Sequence, residues 1–148
     1  MVQVILKTVL WSVVILVGIS ILVFVVLWIR RKILLNSREK KFADENISDA
    51  VAWIYADTAL ILEKMGFDRE NGSMRDLTKP LEEKYGAEFT AEFEHVTDLN
   101  DRAMFSNIPM EEADRHTARS FRLHVLRKLK SEMKWYRRMW LRWARCLY

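Results

Sequence analysis

The residues with reactive side chains are few, and their spacing restricts the chemistry open to them. Cys146 is the only thiol in the chain, so no intramolecular disulfide can form and no zinc site can be built on cysteines. Pairing Cys146 with His116 or His124 would be the one nucleophilic arrangement on offer. A thiol two residues from the end of the chain, however, has little around it to build an oxyanion site, and it reads as a small buried or interfacial group. The three histidines, His95, His116 and His124, are scattered in sequence, which argues against a metal centre. Glu82, Glu83, Glu88, Glu92 and Glu94 are spaced as a solvated helix face with no apolar pocket to raise a pKa, and His95 beside them reads as a surface residue. There is no Gly-rich phosphate loop, no Gly-x-Ser-x-Gly and no His-Glu-x-x-His. The expectation is a protein without catalytic residues, cofactor or metal, and with no evident small-molecule substrate.

Basic and aromatic residues are the better guide. At about 100° per residue, Leu126, Leu129, Met133, Tyr136, Trp140, Trp143 and Leu147 fall on one helix face, at alternating steps of three and four. Arg127, Lys130, Lys134, Arg137, Arg138, Arg142 and Arg145 fall on the other. A helix lying in a membrane surface wants this division of aromatic and basic residues, and each Lys or Arg near an anionic leaflet adds about 1 kcal/mol. The plainer alternative is that the aromatic face closes a protein core. The core reading is favoured for Ala118–Met133 and the membrane reading for Lys134–Tyr148. Lys134, Arg137, Arg138, Trp140, Arg142, Trp143 and Arg145 are therefore membrane-interface candidates, along with Arg30, Arg31 and Lys32. Nucleic acid is excluded as a partner, because the aromatics lie away from the charges instead of interleaving with them as stacking platforms.

The element that positions everything else is at the N-terminus. Val9 to Ile29 is twenty-one residues without a charge, ending at Arg30-Arg31-Lys32. A helix of about 20 apolar residues crosses the roughly 30 Å hydrocarbon layer. A cleaved signal peptide would have a shorter apolar stretch and a small-x-small site after it; Leu27-Trp28-Ile29-Arg30 offers none. The segment reads as a retained signal anchor. Lys7 and the terminal amine flank one side, against Arg30, Arg31, Lys32, Arg38, Lys40 and Lys41 on the other, which puts the N-terminus outside and the remainder in the cytoplasm.

Charge is segregated along the chain. Residues 1–41 carry +6, residues 42–114 carry −12 and residues 115–148 carry +10, which the overall +4 conceals. An acidic bundle neutralised by a basic helix and an external acidic partner explain this pattern about equally well.

Four glycines and two prolines imply long helices. Ser48 is expected to cap a helix through Met65, with Val51, Ile54, Tyr55, Ala59, Leu62 and Met65 as its apolar stripe, closed by Gly66 and Phe67 in a Schellman-type turn. Asp68 to Gly72 is a polar turn. Ser73, with Asp76 as capping-box partner, opens a second helix carrying Leu77, Leu81 and Tyr85, kinked by Pro80 and ended by Gly86. A third helix runs from about Glu88 to Phe105, with Phe89, Phe93, Val96, Asn100, Ala103 and Met104 on one side. A last one opens at Pro109–Glu111 and runs unbroken to the C-terminus.

This order of elements resembles the domain of unknown function that follows the last membrane span in bacterial transglutaminase-like membrane proteins. The matching residues are Tyr55, Leu60 and Met65-Gly66-Phe67; Ser73-Met74-Arg75-Asp76-Leu77; Ala103-Met104-Phe105; and Ile108-Pro109-Met110-Glu111-Glu112-Ala113, within about residues 22–145. Met74 stands where that family usually has proline, and Phe105-Ser106-Asn107 replaces a Tyr-Gly-Gly-like turn. The family's activity belongs to a separate Cys-His-Asp domain across the membrane, so the resemblance transfers the anchored module and no catalytic residue. Family members often sit beside genes for an AAA-type ATPase and a von Willebrand-type partner, which implies protein docking.

The sequence thus predicts an all-α protein: an anchor with basic stop-transfer flank over 1–35, a juxtamembrane linker or helix extension over 36–47, and a cytoplasmic helical domain over 48–148 with a long amphipathic C-terminal helix. The expected role is a non-catalytic adaptor or regulatory module of a bacterial envelope or membrane complex, single-pass in the cell membrane, with the lipid bilayer and a membrane or cytoplasmic protein as partners. The alternative is an accessory subunit, or detached tail, of a transglutaminase-like enzyme.

Overall fold

The computed structural model describes residues 2–67 and 72–143, and every regular element among them is helical. The first helix, α1, runs from Val2 to Phe42. Its apolar part is long and apolar enough to cross a membrane: the most apolar window has mean hydropathy 3.0, and none of it is buried within the protein. No helix-breaking residue separates this stretch from the basic one, so the helix continues through Arg30–Lys32 to Lys40 and Lys41, where the cations meet the negative end of the helix dipole. The chain divides into two compact units, Met1–Ser37 with Met139–Tyr148, and Arg38–Arg138.

The larger unit is a helical bundle that begins with the last turn of α1, whose Phe42 is only 3 % exposed. Helix α2 spans Ile47–Lys64. Its cap is Asn46, not the expected Ser48: Asn46 sits in extended backbone, accepts a hydrogen bond from the Ser48 amide at 3.1 Å, and donates to Asp49 at 2.9 Å. The start thus moves back two residues, because the amide side chain of Asn46 can serve the helix amides and Asp49 together. At the other end the expected Schellman turn is present. Gly66 adopts φ +93°, its amide donates to the Glu63 carbonyl at 3.0 Å, and the Phe67 amide donates to Leu62 at 3.1 Å. The Asp68–Gly72 turn lies, but for Gly72, outside the described residues.

Ser73 and Asp76 form the expected capping box, with the Ser73 amide donating to Asp76 at 2.6 Å, but the turn they open is a short 3-10 stretch, Met74–Leu77. Helix α3, Thr78–Tyr85, starts afresh after it. Pro80 is therefore in the first turn of α3 and need not kink it, since amides there have no intrahelical acceptor to lose. Gly86, at φ 88° and ψ 170°, ends α3 and begins α4, Ala87–Phe105.

Helix α5 spans Glu112–Glu132, opened by Glu111 and Asp114 as a capping box, with the Glu111 amide donating to Asp114 at 2.9 Å. It does not run on to the C-terminus. Met133 turns to extended backbone at φ −91°, ψ 139°, and α6 restarts at Trp135 and continues to Trp143. The Arg138 side chain donates to the Met133 carbonyl at 2.8 Å and its amide to Lys134 at 3.1 Å, so groups exposed by the break are satisfied on the spot.

Within the bundle, α2 packs on α4 and α5, α3 on α4, and α4 on α5. Helices α4 and α5 run antiparallel, since Phe89 meets Phe121 and His124 while Arg102 reaches Asp114. Ile54, Ile61, Leu62, Leu81, Phe93, Val96, Leu99, Val125 and Leu129 are buried almost completely, each contributing about 1.5–3 kcal/mol by leaving water. A chain of tilted rings from Phe67 through Tyr85 and Phe89 to Phe121 spans the bundle with centroid spacings of 5.8, 5.0 and 5.3 Å. Ala118, Phe121, Val125, Leu126 and Leu129 of α5 are all buried, so this part of the C-terminal face does close the core.

Candidate functional site

The bundle exposes an apolar groove between α2 and α4. Its floor is small: Ala52, Ala56 and Ala59 recur at steps of four and three on one face of α2. Trp53, Leu60 and Phe67 from α2 and its C-terminal turn, Met74 from the 3-10 turn, and Asn100 and Met104 from α4 form the walls. The volume is about 580 Å³. Trp53, Leu60 and Met104 are 46, 47 and 59 % exposed, although each is large and apolar. The α4 stripe expected from the sequence thus splits: Phe89, Phe93 and Val96 enter the core, whereas Met104 faces the groove and Phe105 beyond it is exposed. Two polar features fix the groove's frame. The Tyr55 hydroxyl and Thr97 hydroxyl share a buried hydrogen bond of 3.2 Å between α2 and α4, and Lys41 lies over the Trp53 ring, 3.6 Å from its centre.

Arg75 holds the 3-10 turn beside this groove to α4, donating to Asp98 at 2.7 Å and Asp101 at 2.6 Å. Its pKa is raised by the hydrogen bonds to Asp101 and then Asp98. At the α3–α5 contact, Lys84 donates to Glu132 at 2.8 Å, and this bond raises the lysine. For Glu132, burial pushes the pKa up, but the Lys84 hydrogen bond leads the group of opposing effects, and the net direction is down. The adjoining Tyr85 is raised, first by burial and then by the Glu132 carboxylate.

On the opposite side of α2 lies a buried carboxylate that the periodicity of the sequence did not reveal. Asp57 is 6 % exposed. It accepts from Arg122 Nε of α5 at 2.6 Å and stands 3.3 Å from Arg38 of the last turn of α1. Arg122 also lies over the Phe42 ring at 4.9 Å. The signal was present in outline: Asp57 falls between Ile54 and Ile61 at helical spacing, and an acid on an apolar stripe needs a cation.

The three histidines, though scattered in sequence, come together. His95 of α4 and His116 and His124 of α5 line one groove of about 330 Å³ with Glu92 and Arg127. His124 Nδ1 lies 2.8 Å from Glu92 and its ring 5.2 Å from Phe89. Among the described residues, no group of three or more His, Cys, Asp or Glu side chains is arranged to hold a metal ion.

Of the residues singled out for the membrane interface, Arg30, Lys32, Lys134, Arg137, Arg138 and Arg142 are exposed and Arg31 is half-buried. Lys32 lies over Trp28 at 5.3 Å. The side chains of Trp140 and Trp143, together with Arg145, Cys146 and Leu147, lie outside the described set. Among the described residues the heptad seam is interrupted: Met133 stands at the break and Tyr136 is 52 % exposed. Compared with models of protein families, with curated proteins and with solved structures, the chain matches none of them.

Proposed function

We propose that this protein is a non-catalytic, membrane-anchored docking module that holds a partner protein at the cytoplasmic face of the cell membrane. The carrying observation is the groove of about 580 Å³ between α2 and α4, with Trp53, Leu60 and Met104 left exposed around a floor of alanines. Monomeric proteins seldom leave large apolar side chains clustered around a concavity without a use for it. A floor of small residues between two helices accepts a third helix at close range, and methionine and tryptophan walls adapt to its side chains. The groove's lining comes wholly from the segment 42–114, whose net charge is −12, so the occupant we assign is an amphipathic helix of a partner protein with basic flanks. Helix α1 supplies the anchor, a single span with the N-terminus outside, by the excess of Lys and Arg after Ile29.

The test is photo-crosslinking from Leu60 in the full chain, followed by purification in detergent. A crosslinked partner that disappears in Ala56→Trp, which fills the groove from an exposed position, and survives in Ser120→Ala, an exposed position on α5 away from the groove, supports the reading. If nothing associates specifically, the docking role fails. If a transglutaminase-fold protein dominates the product, the chain is an accessory subunit of that enzyme instead.

A further inference from the structure

Among the described side chains of α6, the large apolar ones that face outward are Trp135, Tyr136 and Met139. Taking about 100° per residue, Trp135, Met139 and Tyr136 share one sector of the helix, while Leu141 falls among Lys134, Arg137 and Arg138. The buried residue is Leu141, 2 % exposed, whereas Trp135, Tyr136 and Met139 are 73, 52 and 53 % exposed. A helix stabilised by a protein core alone would bury the aromatic side first, because that side carries most of the apolar surface. The break at Met133 releases α6 from the axis of α5, whose own apolar face stays in the core. Residues 133–148 contain Lys134, Arg137, Arg138, Arg142 and Arg145 and no acidic residue. Residues 139–143 belong to the same compact unit as the apolar stretch of α1 and its Arg30-Arg31-Lys32 flank.

We infer that α6 is a second membrane contact, lying in the surface of an anionic leaflet with Trp135, Tyr136 and Met139 among the upper acyl chains, Lys134 and Arg137 at the headgroups, and Arg142, about 20° from Trp135 around the helix, at the boundary between them. Two observations select lipid over a protein occupant. The exposed apolar residues include the amphipathic aromatics Trp135 and Tyr136, which suit the interfacial zone. The charge is of one sign, matching phosphate-bearing headgroups.

The experiment uses the full chain carrying Cys146→Ser and an environment-sensitive fluorophore on Met139→Cys. It is reconstituted into vesicles of phosphatidylcholine alone or of equal parts phosphatidylcholine and phosphatidylglycerol. The expected result is blue-shifted emission, quenched by nitroxides placed near the headgroup, in the anionic vesicles. Replacing Lys134, Arg137 and Arg142 by Gln should lower the preference for anionic lipid by about fivefold per charge. A probe that stays in water in anionic vesicles overturns the inference. So does protection that is equal in both lipids and rises with protein density, which would assign the face to a second copy. The inference rests on α1 crossing the bilayer. Carbonate extraction checks that separately: protein removed by carbonate reports failure of the anchor, and an exposed probe on carbonate-resistant protein reports failure of α6 alone.

Discussion

Asp57 shows how one residue can fix an arrangement of three helices. Its carboxylate is buried at 6 % exposure with Arg122 at 2.6 Å and Arg38 at 3.3 Å, so α1, α2 and α5 converge on one charge. Removing that charge leaves two guanidiniums facing each other in a poorly hydrated site. Breaking a buried pair in this way costs about 3–5 kcal/mol. Arg122 and Arg38 keep 12 and 24 % side-chain exposure, so Asp57→Asn is expected near the low end, about 3 kcal/mol. Arg38→Met should cost clearly less, because the shorter contact to Arg122 remains. Urea unfolding of the detergent-solubilised protein measures both; equal, small losses would mean that water reaches the carboxylate freely. The sequence offered every ingredient of this site without its assembly. Helical periodicity ranks positions by hydrophobicity, so an acid on an apolar stripe is passed over unless its cations, 65 residues away in the case of Arg122, are known to arrive.

Helix ends were more legible than helix continuity. Gly66, Ser73 with Asp76, Gly86 and the acidic opening of α5 were all readable, because caps are local chemistry between residues a few positions apart. Continuity depends on what lies beneath the chain. No glycine or proline marks the break at Met133, and the heptad spacing runs straight across it, so only the packing of α5 decides where the helix leaves the core. Among the described residues, Gly66 and Gly86 have positive φ and offer a graded test of the local part. Neither has an atom within 4 Å of where a Cβ would stand, so substitution costs come from backbone alone. Gly66, at φ +93°, closes a Schellman turn in a region that asparagine tolerates. Gly86, at φ 88° and ψ 170°, occupies a region nearly closed to other residues. Gly66→Ala is therefore expected to cost about 1 kcal/mol, largely recovered in Gly66→Asn, and Gly86→Ala about 1–3 kcal/mol with no recovery by Asn. Thermal unfolding ranks the four variants, and recovery by Gly86→Asn would show that the α3–α4 corner does not need this conformation.

At the scale of the whole molecule, the charge blocks acquire a partial explanation. The basic segment after Arg115 does meet the acidic one, through Arg122 with Asp57, and Arg119 turns instead to Glu39 of α1. Lys134, Arg137 and Arg142 remain exposed on α6, where the lipid surface inferred above would engage them. The orientation proposed above rests on Lys7 against Arg30, Arg31, Lys32, Arg38, Lys40 and Lys41, a bias that would retain the carboxyl side in the cytoplasm. With Cys146→Ser as background, single cysteines at Gln3 and Glu83, both exposed, report the two sides to a membrane-impermeant maleimide. In sealed right-side-out membrane vesicles Gln3→Cys is expected to label and Glu83→Cys to stay unlabelled until the membrane is opened. The reverse pattern would place the bundle outside, where the groove between α2 and α4 could not meet a cytoplasmic partner and α6 would face the opposite leaflet.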